Sequence, residues 1–340
     1  MSAAYDAEAA HQRVITWPPA DGVLDLRTLV RLGTLAPSSH NTQPWLFRIG
    51  DETIEIAPDL TRRCQVVDPD DAHLFKSLGC AAETIVQAAA AAGHATEVRV
   101  DPGGTITLRF RPADGLDGSL APAIPVRQCT RRAFDGRSIE PAQRDALAAA
   151  GTGDGVRVVL VEDAAMLAAI GDLVAEGNRA QLTDPAFRAE LFRWVRCTAG
   201  EAIAAGDGLS SFAAGQPALP RWLVRLLLPV AMTASGQVAR DRDHLGTTPM
   251  LAAFVAPRDD IPVWIAIGRC YQRLALRAVL SGIRHAHINQ PIEVRALRSR
   301  LHAALGLGAG EHALLLLRLG YGAAAPFSLR RPLAAVLRPA

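Results

Sequence analysis

The chain has 340 residues, 49% of them hydrophobic, which is long for one domain and comfortable for two with real cores. Its 36 Lys and Arg against 34 Asp and Glu, with no basic stripe interleaved with aromatics, make nucleic acid a poor partner. The five cysteines (Cys64, Cys80, Cys129, Cys197, Cys270) are scattered and never form a C-x-x-C pair, which argues against a disulfide framework or zinc knuckle and fits a reducing compartment.

Tyr5, Asp6, Glu8 and His11 stand where a signal peptide needs an apolar core, so a cytoplasmic protein is expected. Leu24, Leu26, Leu29, Val30, Leu32 and Leu35 recur at helical spacing. Pro37 stops that helix, and Ser38, Ser39 and Asn41 follow on stiff backbone with short donors and acceptors. Such a loop either holds the edge of a flat heteroaromatic ring or is an ordinary helix-to-strand turn. Trp45, Phe47, Ile49, Ile54 and Ile56 then alternate as strand, turn, strand.

Gly79 to Gly93 reads as a helix opening and closing on glycine and running into an extended His94–Val100 stretch. Lys76 is the only lysine, so nearly every cation is arginine, the better fork for phosphate. Ala121-Pro122-Ala123-Ile124-Pro125 looks like a linker. A helix from Ile139 to Ala150, a loop at 151–155 and a strand from Val156 to Val161 come next. Residues 178–250 form an insertion with a flexible Gly206-Asp207-Gly208 turn, readable as a lid or as packing helices. Within it, Leu219 to Met232 is too short for a membrane span and carries Arg221, Arg225 and Pro229, so it reads as an amphipathic surface or lid helix. Gly268 to Gly282 repeats the plan of Gly79 to Gly93 and leads into His285–Ile292. His285 and His287 share one strand face, but no third ligand accompanies them and no metal site is expected. The glycine runs at 151–155 and 306–310 follow helices and precede strands, the reverse of a dinucleotide fingerprint, so both are turns.

Ala36-Pro37-Ser38-Ser39-His40-Asn41-Thr42-Gln43-Pro44-Trp45-Leu46-Phe47 resembles the Ala-Pro-Ser-x-x-Asn-x-Gln-Pro-Trp-x-Phe motif of the nitroreductase superfamily of flavin mononucleotide (FMN) oxidoreductases. Arg127-Gln128-Cys129-Thr130-Arg131-Arg132-Ala133-Phe134-Asp135 resembles that family's arginine-rich opening motif, with Cys129 where Ser or Thr is usual. Phe327-Ser328-Leu329-Arg330-Arg331-Pro332-Leu333 resembles its closing phosphate-binding stretch. The resemblance implies that Pro37, Ser38, Ser39 and Asn41 meet the flavin ring edge. It implies Arg127, Cys129, Arg131, Arg330 and Arg331 at the FMN phosphate, and Ile288 and Asn289 near flavin N5.

The ring-edge loop occurs only in the first half and the arginine motif only in the second. That complementarity is similar to the tandem, lone-site nitroreductase-like proteins of the mycobacterial dormancy-associated Acg type. The implied fold is α+β: two fused nitroreductase-like domains, 1–122 and 123–340, each a mostly antiparallel sheet flanked by helices, forming a pseudo-dimer. The implied chemistry passes hydride from NADPH or NADH through flavin N5 to a small-molecule acceptor, a nitroaromatic or quinone-like compound. No catalytic side chain is then required, because the cofactor carries the chemistry. The alternative is a protein that stores flavin beneath a lid with little turnover. No membrane partner is expected, and the pseudo-dimer is either monomeric or paired again as a homodimer.

Overall fold

Leu26–Gly33 folds as the helix that the apolar spacing predicts, capped by Asp25, whose carboxylate accepts from the Arg27 and Thr28 N–H groups. The computed structural model describes residues 3–19, 23–214, 218–231 and 233–339. Residues 215–217 of the 178–250 insertion, and Met232 at the end of the amphipathic helix, lie outside the described residues.

In chain order the helices are α1 (Ala3–His11), α2 (Leu26–Gly33), α3 (Ala72–Ala91), α4 (Pro141–Gly151), α5 (Ala164–Thr183), α6 (Pro185–Trp194), α7 (Ala199–Ala205), α8 (Arg221–Ala231), α9 (Ala234–Gly246), α10 (Ile261–Leu280), α11 (Gln290–Glu293) and α12 (Arg298–Ala304). The strands are β1 (Trp45–Ile49), β2 (Thr53–Pro58), β3 (His94–Val100), β4 (Ile106–Pro112), β5 (Arg157–Val161), β6 (Val195–Arg196), β7 (Leu209–Ser210), β8 (Met250–Ala256), β9 (Arg284–His287) and β10 (His312–Gly320). Among the described residues, no helix is long and apolar enough to cross a membrane.

Two four-stranded sheets result, ordered β1-β2-β4-β3 and β5-β8-β10-β9, with every neighbouring pair antiparallel. Both follow one plan: first strand, second, fourth, third, with a long helix (α3 or α10) between the second and third. The second half departs from it by inserting α5 to α9 between β5 and β8. The fold is therefore α+β, with two antiparallel sheets flanked by helices.

Strand β8 explains why this arrangement buries so much. Met250, Ala252, Phe254 and Ala256 join the large core shared with the first half, while Leu251, Ala253 and Val255 join a second core beneath α5 and α12. A continuous apolar run is what a strand covered on both faces requires.

The long helices α3 and α10 pack on each other through Gly79 and Gly268. A Cβ on Gly79 would overlap the Ile265 carbonyl oxygen, and one on Gly268 would overlap the Lys76 carbonyl oxygen. The two contacts are reciprocal, each glycine facing the residue three positions before the other. This corrects the expectation that these helices open on glycine. They open seven residues earlier, and the glycines sit inside them because the backbones touch there. The closing glycines behave as expected, with positive φ of 74° at Gly93 and 71° at Gly282. Across the same contact, buried Glu83 pairs with Arg269 at 3.0 Å and Arg273 at 3.2 Å.

One further reading changes, and two segments are placed. The stretch read as a linker, residues 121–126, forms a tight 3₁₀ turn with Ala123 and Ile124 buried. The 206–208 turn is pinned, not flexible: buried Asp207 pairs with Arg62 and accepts from Arg196 Nε at 3.0 Å. The chain's end returns to the first sheet, where the Phe47 N–H donates to Val336 O at 2.7 Å and the Arg338 N–H to Phe47 O at 2.8 Å.

Candidate functional site

The helix-to-strand loop leaves α2 through a conformation that short polar residues tolerate. His40, Asn41 and Gln43 all have positive φ, at 48°, 54° and 53°. Three such residues in a row of four are a strained run of the kind found at functional sites. Internal bonds hold it: Ser38 Oγ accepts from the Gln43 N–H at 2.9 Å, and the Ser39 N–H donates to Ser77 Oγ on α3 at 3.3 Å.

Pro37, Ser38, Ser39 and His40 line a cavity of about 1190 Å³. Arg131, Ile288 and Asn289 line it too, so six of the sequence-derived site residues, from both halves of the chain, share one space. The insertion supplies another wall, including Asn178, Gln181, Phe187, Arg240 and Asp241. Its α6 docks on the first half through Glu190, whose carboxylate accepts from the Val66 and Val67 N–H groups at 3.0 Å each. His40 is pushed down to about 4 by burial and by Arg131, so its imidazole is neutral at physiological pH.

A second group of site residues gathers beside the cavity, around the Leu35 carbonyl. Arg127 donates to Leu35 O from NH2 at 2.8 Å, and Arg330 does so at 3.0 Å. Arg13 lies with them, donating to Ser328 O at 3.0 Å and covering the Phe327 ring at 4.2 Å. Among the described residues, none of these three arginines has a carboxylate within ion-pair distance. Burial and the neighbouring guanidinium of Arg127 bring Arg13 down to about 10, and burial with Arg13 and Arg127 presses Arg330 below the ordinary arginine value.

The three differ in what they have left to offer. Arg330 spends its N–H groups on the carbonyls of Thr34, Leu35, Ala36, Ser328 and Leu329 and on Asn41 Oδ1. Arg127 keeps a buried Nε with no partner, and Thr130 Oγ1 nearby in sequence is also unpartnered. Unpaired buried donors beside uncompensated positive charge are the chemistry of an anion site.

Three of the expected ring or phosphate residues are engaged by other parts of the protein. Asn41 does not line the cavity; its amide donates to Gly208 O and Leu329 O at 3.1 Å each and accepts from Arg330. Arg331 turns away towards Gln43 O at 3.2 Å and Asp59 at 3.7 Å. Cys129 Sγ meets Tyr271 OH at 3.4 Å and His285 Nε2 at 3.6 Å.

The sequence reading missed a polar wall within the cavity. Lys76, His73 and Glu293 all line it, with His73 Nε2 at 3.5 Å from Glu293 Oε1 and Gln181 Nε2 donating to Glu293 Oε2 at 2.7 Å. Burial lifts Glu293 to about 7 and lowers Lys76 to about 8, placing two titrating groups near neutrality. Lys76 had a legible signal, the one lysine inside an apolar helix; Glu293 had none. Arg318 also lines the cavity, nearly fully buried, with NH1 unpartnered and NH2 donating to Arg132 O at 2.7 Å.

The chain is 27% identical over 332 residues to a Mycobacterium tuberculosis protein named "Putative NAD(P)H nitroreductase Rv3131", spanning 94% of this chain and 91% of that one. It is 29% identical over 183 residues to the acg protein of the same organism, also named a NAD(P)H nitroreductase, spanning 50% of this chain and 54% of that one. Among solved structures, the FMN and NADPH-dependent nitroreductase NfnB from sphigopyxis sp. strain HMH matches at TM-score 0.43 and 18% identity, over 65% of this chain and 98% of that one. The FMN-dependent NfnB from Mycobacterium smegmatis, in complex with NADPH, matches at TM-score 0.42 and 17% identity, over 65% and 98%. No family model matches the chain.

Proposed function

This chain resembles the nitroreductases, and from that premise we propose that it is an FMN-dependent oxidoreductase. It would pass electrons from a reduced nicotinamide, NADPH or NADH, to an electron-poor acceptor such as a nitroaromatic or a quinone. The observation that carries this reading is the meeting of buried Arg127 and Arg330 on the Leu35 carbonyl, with Arg13 nearby and no carboxylate within ion-pair distance of the three among the described residues. Beside it lies a large cavity rimmed by the strained Ser38–Gln43 loop. Buried positive charge of that kind is costly unless an anion completes it.

The residues fit the group. Arg127 and Thr130, with unpartnered donors, would hold the phosphate, and Arg131 would reach it from the cavity side. Pro37, Ser38 and Ser39 would border the ring from one half, and Ile288 and Asn289 from the other. Asn289 Oδ1 accepts from the Leu316 N–H at 2.8 Å and its carbonyl from the Ile292 and Glu293 N–H groups, which leaves its Nδ2 and backbone N–H for that edge. Bound FMN would supply two-electron chemistry at its ring. The chain's own contribution is to orient the ring, exclude water and keep Glu293 and Lys76 available for protons at the cavity wall. We assign residues 1–122 and 123–340 as the two domains of a pseudo-dimer with one site.

A second reading, flavin storage with little turnover, draws on the insertion that walls the cavity and docks through Glu190. One experiment separates the two: a visible spectrum of the purified protein, followed by NADPH under anaerobic conditions. Yellow protein that bleaches quickly supports the oxidoreductase. Yellow protein that resists NADPH but bleaches with dithionite supports storage. Colourless protein that takes up no added FMN overturns both.

A further inference from the structure

Cys129 differs from the other four cysteines in this chain. Cys64, Cys80, Cys197 and Cys270 are buried, and burial pushes their thiols up, Cys64 to about 12 and Cys270 to about 11. Cys129 is partly exposed and is set in a ring of polar side chains brought from three separate segments. Tyr271 OH stands 3.4 Å from its Sγ, 3.1 Å from His285 Nε2 and 3.0 Å from His287 Nε2. His285 Nε2 is 3.6 Å from Sγ, and Arg127 NH1 approaches it at 3.9 Å. The Thr130 N–H donates to His285 O at 2.8 Å, so the loop carrying Cys129 is tied to β9. Tyr271 and His287 both line the cavity, which gives a small molecule a route to this cluster.

The proton positions follow from the contacts. His285 Nδ1 is buried without a partner, so the imidazole proton belongs on Nε2, the nitrogen facing Sγ and the phenol. Burial opposes the Cys129 thiolate and also lowers His285, whose Nε2–H faces Sγ; the contacts of His285 and His287 outweigh that burial and hold the thiol below its ordinary value. Burial and the negative sulfur push Tyr271 well above its usual value, so its O–H remains a donor. The other charged or titrating groups that act on this sulfur are Arg127, Arg330 and Cys80.

We propose that Cys129, with His285, Tyr271, His287 and Arg127, forms a thiol site that reduces small hydroperoxides. Sγ attacks the distal peroxide oxygen; an S–O bond forms as the O–O bond breaks. Sulfur is oxidised by two electrons and the peroxide is reduced by two. The departing oxygen takes a proton through the Tyr271 O–H, replacing the one Sγ gave up, so the products are a sulfenic acid and an alcohol, or water from hydrogen peroxide. Tyr271 O–H and the Arg127 guanidinium donate to that departing oxygen as charge develops on it. A small thiol condenses with the sulfenic acid to a mixed disulfide and water, and a second small thiol releases Cys129 as the thiol with a small-molecule disulfide. The chemistry itself needs only the thiol and the peroxide, though it shares Arg127 with the proposed phosphate site.

The test is a pulse of hydrogen peroxide on the protein as purified, trapping with dimedone, and mass spectrometry of the peptides. The expected result is an adduct on Cys129 alone, reversed before trapping by dithiothreitol, forming roughly tenfold faster at pH 7 than on glutathione. The rate should hold level below pH 7, and His285→Gln should slow it roughly tenfold and move the profile upward. If that variant does not fold, the wild-type pH profile decides. A profile rising only near the ordinary thiol value of about 8.5 overturns the proposal. So does an absence of adduct at Cys129, or a rate no faster than glutathione.

Discussion

Arg127 and Arg330, from opposite ends of the second half, both donate to the carbonyl of Leu35, at 2.8 and 3.0 Å. Leu35 belongs to the first half, at the end of the run that α2 begins. One carbonyl thus joins the arginine motif, the closing stretch and the ring-edge loop, and sets two guanidinia side by side with no acid paired to either among the described residues.

The two arginines should fail differently. Arg127 has a free buried Nε, so Arg127→Ala should weaken FMN binding by at least about tenfold, from loss of a charge-assisted bond worth roughly 1.5–3 kcal/mol. Arg330 is committed to backbone carbonyls, so Arg330→Ala should lower stability by roughly 2–4 kcal/mol by stranding those acceptors. Flavin titration of the apoprotein and urea unfolding check the pair; unchanged FMN affinity in Arg127→Ala removes it from the phosphate site.

The α3–α10 crossing admits no side chain. Gly79→Ala and Gly268→Ala should each destabilise by about 1–3 kcal/mol or prevent folding, since the added carbon would overlap a backbone carbonyl on the facing helix. Gly171→Ala is the control: its Cβ would meet only Leu245 Cδ1 at 3.4 Å, so its melting temperature should hold or rise. Equal melting of all three variants contradicts this picture of the helix contact.

Glu293 makes stability depend on pH. Its carboxyl stands at about 7 in the fold against an ordinary 4.5, so between those values the folded chain binds more protons than the unfolded one. Stability therefore falls as pH rises through that window. Glu293→Gln should abolish this component, gaining on the wild type by roughly 1–3 kcal/mol from pH 4.5 to 7. Thermal melts at intervals across the window measure it, and parallel curves for the two proteins would falsify the assignment.

Lys76 behaves in the opposite sense. Burial lowers its ammonium to about 8, so the unfolded chain holds more protons between about 8 and the ordinary 10.5, and stability rises with pH there. Lys76→Met should melt higher than the wild type at pH 7, with the gap closing across that window. It should also lose affinity for an anionic cavity ligand, the usual trade of stability against a strained site. Melts at pH 7 and pH 10 in low salt test the first expectation.

Much of this was legible in the chain because it is local. The helix before Pro37, the β1–β2 hairpin and the left-handed caps at Gly93 and Gly282 each follow from spacing or φ preference within a few residues. The motif at 36–47 marked a site because short polar residues and prolines announce an irregular loop wherever it is placed.

What tertiary structure decided were the properties of contacts between distant segments. Gly79 and Gly268 looked like helix starts, and only the crossing of α3 and α10 shows them as contact points. Arg330 and Arg331 are identical in type and adjacent, yet one turns to Leu35 and the other to Asp59, because the segments folded around each differ. Asn41 could have faced a ligand but is consumed by Gly208 and Leu329. Glu293 and Cys129 acquire their chemistry from burial and from partners far along the chain. Spacing and backbone preference are written residue by residue; desolvation and charge pairing exist only once the chain has closed around them.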